Sequence, residues 1–244
     1  MSDCKTFSEE VADNIRSQGA DKQLVNLSKK WIVKIQPYCY AHNFTWMGRT
    51  IIQCPQDIVA MQELIWQTKP DLIIETGIAR GGSLIFYASM LELLGGDGEV
   101  VGIDIDIREH NRIAITAHPM SKRIVMLEGS STDPDIASKV KEIAENKNSV
   151  LVCLDSMHTH EHVLKELQIY APLVTEGSYC VVFDTGVEDL PDDMCSNRPW
   201  GKGNNPKTAV HAYLKSTDCF EIDKTIEHKL LITAAPDGYL RRIR

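Results

Sequence analysis

The stretch DLIIETGIARGGS, residues 71–83, constrains this chain more than any other part of its sequence. Residues 72–74 predict a buried strand, and Glu75 follows it directly. Three glycines then form a turn before a helical pattern that begins near Ser83. In α/β proteins, a strand that leads through a glycine-rich turn into a helix presents backbone N–H groups to a nucleotide-like ligand. We therefore expect a ligand at this turn.

A second strand pattern covers residues 99–104 and ends in Asp104. A carboxylate at the end of that strand can accept hydrogen bonds from both hydroxyls of a ribose. The glycine-rich turn and the carboxylate of Asp104 together predict that the ligand is an adenosine-type cofactor.

The glycine spacing discriminates among such cofactors. The pattern Glu75-x-Gly77-x-x-x-Gly81-Gly82 matches neither the dinucleotide fingerprint nor a P-loop. An acid at this turn would repel a pyrophosphate, but it suits the ammonium and sulfonium charges of S-adenosylmethionine. The alternative is an ordinary strand-to-helix turn whose glycines only ease packing. The residues predicted to bind the cofactor are Glu75, Gly77, Ala79, Gly81, Ser83, Asp104, Ser130 and Asp155.

Strand and helix patterns alternate from residue 57 onward, which predicts an α/β fold with a mainly parallel seven-stranded sheet. The last two strands are expected to form a C-terminal antiparallel hairpin. We expect residues 1–56 to be an N-terminal extension packed on one cofactor-binding domain, residues 57–244. The predicted strands are 72–75, 99–104, 123–128, 150–154, 179–183, 220–222 and 230–233.

Composition excludes several classes of protein. A net charge of -8 without a Lys/Arg-rich face argues against a general nucleic-acid binder. No apolar run approaches the roughly 20 residues that a membrane span requires. The start, MSDCKTFSEE, has no signal-peptide apolar core, and the seven cysteines include no Cys-x-x-Cys pair. We expect a soluble cytoplasmic protein with reduced cysteines.

Polar residues follow the predicted strands where the carboxyl ends of a parallel sheet converge. Asp155 closes the strand 150–154, and His158 on the following turn is the best-placed general base. His160 and His162 either join the cluster or start the next helix and point outward. The segment 128–131 either contacts the adenine or is only a turn into the next helix.

Asp155 and Asp184 end strands that are adjacent in the usual order, so their carboxylates should face one gap. Oxygen ligands favour Mg²⁺, which would hold a vicinal diol and lower the pKa of an attacking hydroxyl. Glu188 is a further candidate ligand. The alternative is that these acids bind substrate or backbone directly. The loop 198–206 is either a lid that pivots at its glycines or a subunit contact.

Five motifs resemble the cephalosporin hydroxylase (CmcI-like) family: 75–83, 102–106, 128–131, 154–158 and 198–206. This resemblance implies a Rossmann-like methyltransferase fold and a relationship to Mg²⁺-dependent sugar O-methyltransferases. It also implies that Asp155 is a metal ligand and His158 the base. Those relatives carry adjacent Glu-Asp ligands after the fifth strand, where this chain has Phe183-Asp184. One ligand is therefore missing unless Glu188 or Asp189 substitutes.

The resulting hypothesis is an S-adenosylmethionine-dependent O-methyltransferase that uses Mg²⁺ and acts on a hydroxyl of a sugar or glycosylated small molecule. Two alternatives remain: an oxidoreductase or hydroxylase component, and a non-catalytic cofactor-binding subunit. We also expect a homo-oligomer, because the aromatic-rich segment 31–46 could be buried against another subunit.

Overall fold

The computed structural model describes residues 5–244, so the first four residues of the predicted extension 1–56 lie outside it. The helices in the described part are α1 (Phe7–Ala20), α2 (Lys22–Ile35), α3 (Pro55–Thr68), α4 (Gly82–Leu94), α5 (Glu109–Thr116), α6 (Pro134–Ala144), α7 (His160–Tyr170), α8 (Pro206–Leu214) and α9 (Lys224–Leu230). The strands are β1 (Thr45–Trp46), β2 (Arg49–Thr50), β3 (Leu72–Thr76), β4 (Glu99–Asp104), β5 (Ile124–Glu128), β6 (Val150–Leu154), β7 (Tyr179–Val182), β8 (Phe220–Ile222) and β9 (Tyr239–Arg242).

Seven strands form one sheet in the order β5-β4-β3-β6-β7-β9-β8. The first five are parallel, and β9 runs antiparallel to both β7 and β8. Thr76, at the end of β3, lies opposite Ile103 of β4 and Leu154 of β6. The sheet confirms the predicted Rossmann-like fold. The direction of the strand order reverses at β3. Open parallel sheets bind ligands at such a point, beyond the carboxyl ends of the strands.

Helices cover both faces of the sheet, which explains why its central strands are continuously apolar. All five residues of β3 are buried. Ile73 packs with α3 and α4 on one face, whereas Leu72 and Ile74 pack with α6, α7 and α8 on the other. Cys153 and Cys180 are fully buried free thiols, as the strand patterns predict.

The predicted strand at 230–233 is wrong, although the antiparallel pairing at the end of the sheet is confirmed. Asp223 caps α9 by accepting a hydrogen bond from the backbone N–H of Thr225 at 3.0 Å, and the helix takes in Leu230. Leu231 then leaves the helix with a φ of 58°. The edge of β7 is paired instead by β9, where Leu240 lies opposite Cys180. The apolar run at 230–233 therefore does not indicate which segment pairs with the edge of β7.

Contacts along its length anchor the N-terminal segment to the sheet domain. The Gln18 side-chain amide donates to the backbone carbonyl of His228 at 2.6 Å. The ring of Trp46 meets the ring of Phe86 edge-on, with centroids 4.8 Å apart. Within residues 5–244, no helix is both long and apolar enough to cross a membrane.

Candidate active site

The glycine-rich turn lies directly against the end of β6. Gly77 has a φ of 83°, and its backbone N–H donates to the carbonyl of Ile103 at 2.7 Å. A Cβ at this position would lie 2.2 Å from the carbonyl oxygen of Asp155. Both the left-handed conformation and the close approach therefore require glycine. The glycine-rich turn after β3 therefore packs against the end of β6, as expected for two neighbouring parallel strands.

A cavity of about 250 Å³ opens beside this turn. A Cβ on Gly82 would lie 2.1 Å from the carbonyl oxygen of Thr50, so the segment before α3 closes tightly over the start of α4. Ala79 has a positive φ of 44° in the turn itself. The residues lining the cavity are Thr50, Ile52, Gln53, Gly77, Ile78, Ala79, Arg80, Gly82, Ser83 and Asp155.

Glu75 is completely buried behind the cavity wall. The hydroxyl of Ser83 donates to its Oε2 at 2.7 Å, while its Oε1 has no hydrogen-bond partner. Burial raises the pKa of Glu75 to about 8, and repulsion from Asp104 adds to this shift. A buried carboxyl with an unsatisfied oxygen is suited to a cationic ligand, which would supply both the charge and the N–H donors that the site lacks.

Asp104 stabilises the same turn from β4. Its Oδ2 accepts hydrogen bonds from the backbone N–H groups of Ile78 at 3.0 Å and Ala79 at 3.2 Å. Its Oδ1 accepts from the N–H of Asp106 at 3.1 Å. This side chain, predicted only as a ribose ligand, therefore also holds the turn in place. Each carboxylate oxygen has more than one lone pair, so these bonds leave acceptor capacity for hydroxyl groups.

The segment after β5 lies next to Asp104, as its position in the sheet predicts. The backbone N–H of Gly129 donates to the Asp104 carbonyl at 2.8 Å. Ser130 is partly buried, and its hydroxyl lies 3.1 Å from that of Thr132. Arg112 forms an ion pair with Glu128 at the rim. Ser130 therefore lies in the turn that follows β5, close to the end of β4.

Asp155, His158 and Asp184 converge beside the cavity. One ligand atom from each of the three lies within 4.8 Å of the others, and His158 Nε2 is 3.1 Å from Asp184 Oδ2. Burial, followed by repulsion from Asp184, raises the pKa of Asp155 well above its ordinary value. The two carboxylates can hold a divalent cation, which would relieve the repulsion between them. This donor set therefore fits Mg²⁺, with water or substrate oxygens at its other positions.

Glu188, predicted as a further metal ligand, lies outside this group. Its Oε2 accepts hydrogen bonds from the backbone N–H of Gly203 at 2.8 Å and from the side-chain amide of Asn205. Glu188 therefore fastens the following loop, and the position of the missing acid is filled by buried Phe183.

The loop 198–206 covers the candidate base. The ring of Trp200 meets that of His158 edge-on at 4.8 Å between centroids, and the Arg198 guanidinium lies 5.3 Å from the Trp200 ring centre. Gly201 and Asn204 exchange two backbone hydrogen bonds of 3.0 Å. These bonds, with those to Glu188, give the loop a fixed conformation in the structure. The sequence singled out this loop but not the contact between Trp200 and His158.

His160 starts α7, which is one of the alternatives that the sequence left open, but neither it nor His162 points outward. His160 Nδ1 lies 2.8 Å from the hydroxyl of Thr208, and His162 Nε2 lies 3.1 Å from that of Ser131. Glu166, which sequence reasoning missed, is fully buried and accepts a hydrogen bond from Ser156 at 2.7 Å. Its spacing from the apolar residues of α7 places it on the buried face, a signal that could have identified it.

Curated proteins with similar sequences are rhamnosyl O-methyltransferases. Rhamnosyl O-methyltransferase of Mycobacterium tuberculosis (strain ATCC 25618 / H37Rv) is 30% identical over 203 residues, which are 81% of this chain and 78% of that protein. The Mycobacterium leprae (strain TN) enzyme of the same name is 30% identical over 200 residues, covering 81% and 82%.

Solved structures share the fold. An apo structure of CmcI has a TM-score of 0.61 at 21% identity, covering 83% of this chain and 77% of CmcI. An O-methyltransferase from Bacillus cereus in complex with SAH has a TM-score of 0.50 at 15% identity, covering 85% and 90%. Residues 38–243 match the family described as Rhamnosyl O-methyltransferase/CmcI, and this chain belongs to that family.

Proposed function

We propose that the protein is an S-adenosylmethionine-dependent O-methyltransferase that acts, with Mg²⁺, on a hydroxyl of a sugar or glycosylated small molecule. The observation that carries this proposal is the convergence of Asp155, His158 and Asp184 beside the cavity at the glycine-rich turn. The relatives' name, rhamnosyl O-methyltransferase, supports a deoxysugar as the acceptor.

The cofactor is held along the ends of three neighbouring strands. The Gly77 turn and buried Glu75 receive the methionine end, with Ala79 and Ser83 in the wall, whereas Gly81 packs against Ile115 and does not line the cavity. Asp104 accepts hydrogen bonds from the ribose, and Ser130 lies beside the adenine. This assignment is supported by the unsatisfied Oε1 of Glu75 and by the bonds that fix Asp104 to the turn.

His158 would remove the proton from the acceptor hydroxyl as its oxygen bonds to the methyl carbon and the carbon–sulfur bond breaks, with S-adenosylhomocysteine as the leaving group. The carboxylate of Asp184, 3.1 Å from Nε2, orients the imidazole and stabilises the imidazolium that forms. Asp155 and Asp184 are the metal ligands in this proposal. When bound, Mg²⁺ would position the acceptor's oxygens and lower the pKa of the reacting hydroxyl. Most of the rate enhancement then comes from alignment of acceptor and methyl group.

The test is methyl transfer from S-adenosylmethionine to rhamnoside acceptors, with Mg²⁺ and with a chelator. His158→Ala should lower kcat about 100-fold or more and leave the Kd for S-adenosylhomocysteine within twofold of wild type. His211→Ala is the control, because His211 is half exposed and pairs with Asp237 instead of the cluster. Retained activity in His158→Ala would remove this residue from the mechanism.

The same assay separates the two alternative functions. Cofactor binding without transfer to any glycoside would favour a non-catalytic subunit. A hydroxylase of the non-haem iron type uses two histidines and one carboxylate, whereas this cluster offers one histidine and two carboxylates. The donor set therefore favours methyl transfer over oxidation.

We also propose that residues 1–56 form an extension of the domain 57–244 and that the protein is a homo-oligomer. Exposed apolar side chains on the extension support the second proposal: Phe7 is 80% exposed, Leu27 63% and Tyr38 76%. Light scattering after size exclusion measures the mass, and a monomer would refute it. A cytoplasmic location stays a prediction.

A further inference from the structure

The segment before α3 forms part of the cofactor cavity, although it precedes every motif that the sequence identifies. Ile51 is fully buried, and the Thr50 carbonyl presses against Gly82 at the start of α4. The Arg49 guanidinium donates to Asn111 Oδ1 at 3.1 Å, and the Asn111 amide donates to the carbonyl of Ala79 at 3.0 Å. This segment is therefore fixed to the glycine-rich turn.

Gln53 is the polar side chain that this segment contributes to the cavity lining at depth. It is 5% exposed, and its Nε2 donates to the hydroxyl of Tyr87 at 3.4 Å. Its Oε1 is buried and has no hydrogen-bond partner. Leaving a buried acceptor unpaired costs about 1–3 kcal/mol, so this atom is expected to meet a donor in the working protein.

A second unsatisfied acceptor lies behind the same wall. Glu75 Oε1 is also buried without a partner, and its other oxygen is held by Ser83, which lines the cavity. Two buried acceptors, one of them on an acid, call for a ligand group that carries several N–H donors and a positive charge. A primary ammonium fulfils both requirements.

We propose that Gln53 and Glu75 together bind the α-ammonium of the methionine part of S-adenosylmethionine. Gln53 is then a cofactor-binding residue supplied by the N-terminal segment. The assignment rests on the proposed function, because it takes the cavity to be the cofactor site. It also explains why the segment is packed so closely against the turn.

The test compares two ligands that differ in the amino-acid part. S-adenosylhomocysteine carries the ammonium, whereas 5′-methylthioadenosine keeps the nucleoside and the thioether but lacks it. By calorimetry, Gln53→Leu should raise the Kd for S-adenosylhomocysteine about tenfold or more, the value of a hydrogen bond to a charged group. The Kd for 5′-methylthioadenosine should stay within twofold of wild type.

Two further variants complete the experiment. Gln56→Leu is the matched control, because Gln56 Oε1 is also buried without a partner but does not line the cavity; both Kd values should be unchanged. Gln53→Glu keeps an acceptor in the same place and should retain S-adenosylhomocysteine binding within about threefold. It also keeps the test open if Gln53→Leu fails to fold.

Each result decides between explanations. Equal weakening of both ligands in Gln53→Leu would assign Gln53 a packing role and overturn the proposal. Unchanged affinity for both would mean that water satisfies Oε1, which would also overturn it. Wild-type protein that binds neither nucleoside would refute the proposed function itself, and with it this assignment.

Discussion

Replacing Glu75 by Gln removes a buried acid while keeping the shape of the side chain. The pKa of Glu75 is raised by burial from its usual 4.5 to about 8 in the folded protein. The folded state therefore keeps a proton that the unfolded chain has already lost. The contribution of Glu75 to the free energy of unfolding is fully present below about pH 4.5 and is lost as the pH rises toward 8.

The size of the change in the free energy of unfolding follows from the shift in the pKa of Glu75. A displacement of about 3.5 pH units at ~1.4 kcal/mol per unit reduces the free energy of unfolding by up to about 5 kcal/mol between pH 4.5 and 8. The amide that replaces the carboxyl does not titrate. The Glu75→Gln variant should therefore resemble wild type in stability near pH 4.5 and exceed it increasingly toward pH 8, with a constant difference above that.

Urea denaturation of both proteins at half-unit steps from pH 4.5 to 9 measures this difference. Titrating groups that do not face Glu75 are common to the two proteins and cancel when the profiles are subtracted; of the groups whose pKa Glu75 perturbs, Asp155, Tyr87 and Cys153 are buried and have raised pKa values of their own. Parallel profiles of the free energy of unfolding against pH would show that Glu75 ionises normally in the folded state. That result would refute the argument that Glu75 is a buried acid that keeps its proton in the absence of a cationic ligand.

Three further changes test separate parts of the site. Asp184→Asn should raise the Mg²⁺ concentration for half-maximal activity at least about tenfold, and an unchanged Mg²⁺ titration would exclude Asp184 as a ligand. Gly77→Ala should lower the free energy of unfolding by about 2 kcal/mol or more, because its Cβ meets the Asp155 carbonyl at a positive φ; urea denaturation within about 0.5 kcal/mol of wild type would contradict this. Trp200→Leu should raise the KM for the acceptor while that for S-adenosylmethionine stays constant, because Trp200 contacts His158; unchanged acceptor kinetics would separate the loop from the acceptor site.

The meeting of Gly77, Asp104 and Asp155 could be predicted because it depends on the alternation of strands and helices. Once β3, β4 and β6 are parallel neighbours, the residues after each strand must lie together. The same reasoning brought Asp184 to Asp155, since β6 and β7 are adjacent. Apolar strands and glycine turns carry strong local signals, so these positions needed no tertiary information.

Residues outside the alternating strands and helices were harder to place from the sequence. Gln53 lies in an irregular segment, and its role depends on how closely Thr50 approaches Gly82, which no periodicity records. Trp200 contacts His158 from a loop that is fastened by hydrogen bonds to Glu188, which looked like a metal ligand in sequence. The strand at 239–242 has no stronger pattern than the run at 230–233, and only pairing with β7 decides between them.

The most direct test of the whole account is a crystal structure with S-adenosylhomocysteine and Mn²⁺ in place of Mg²⁺, with anomalous diffraction to locate the metal. We expect the ribose hydroxyls on Asp104, the ammonium between Gln53 and Glu75, and one anomalous peak between Asp155 and Asp184. A nucleoside bound elsewhere, or a bound nucleoside with no metal between those two carboxylates, would contradict the account.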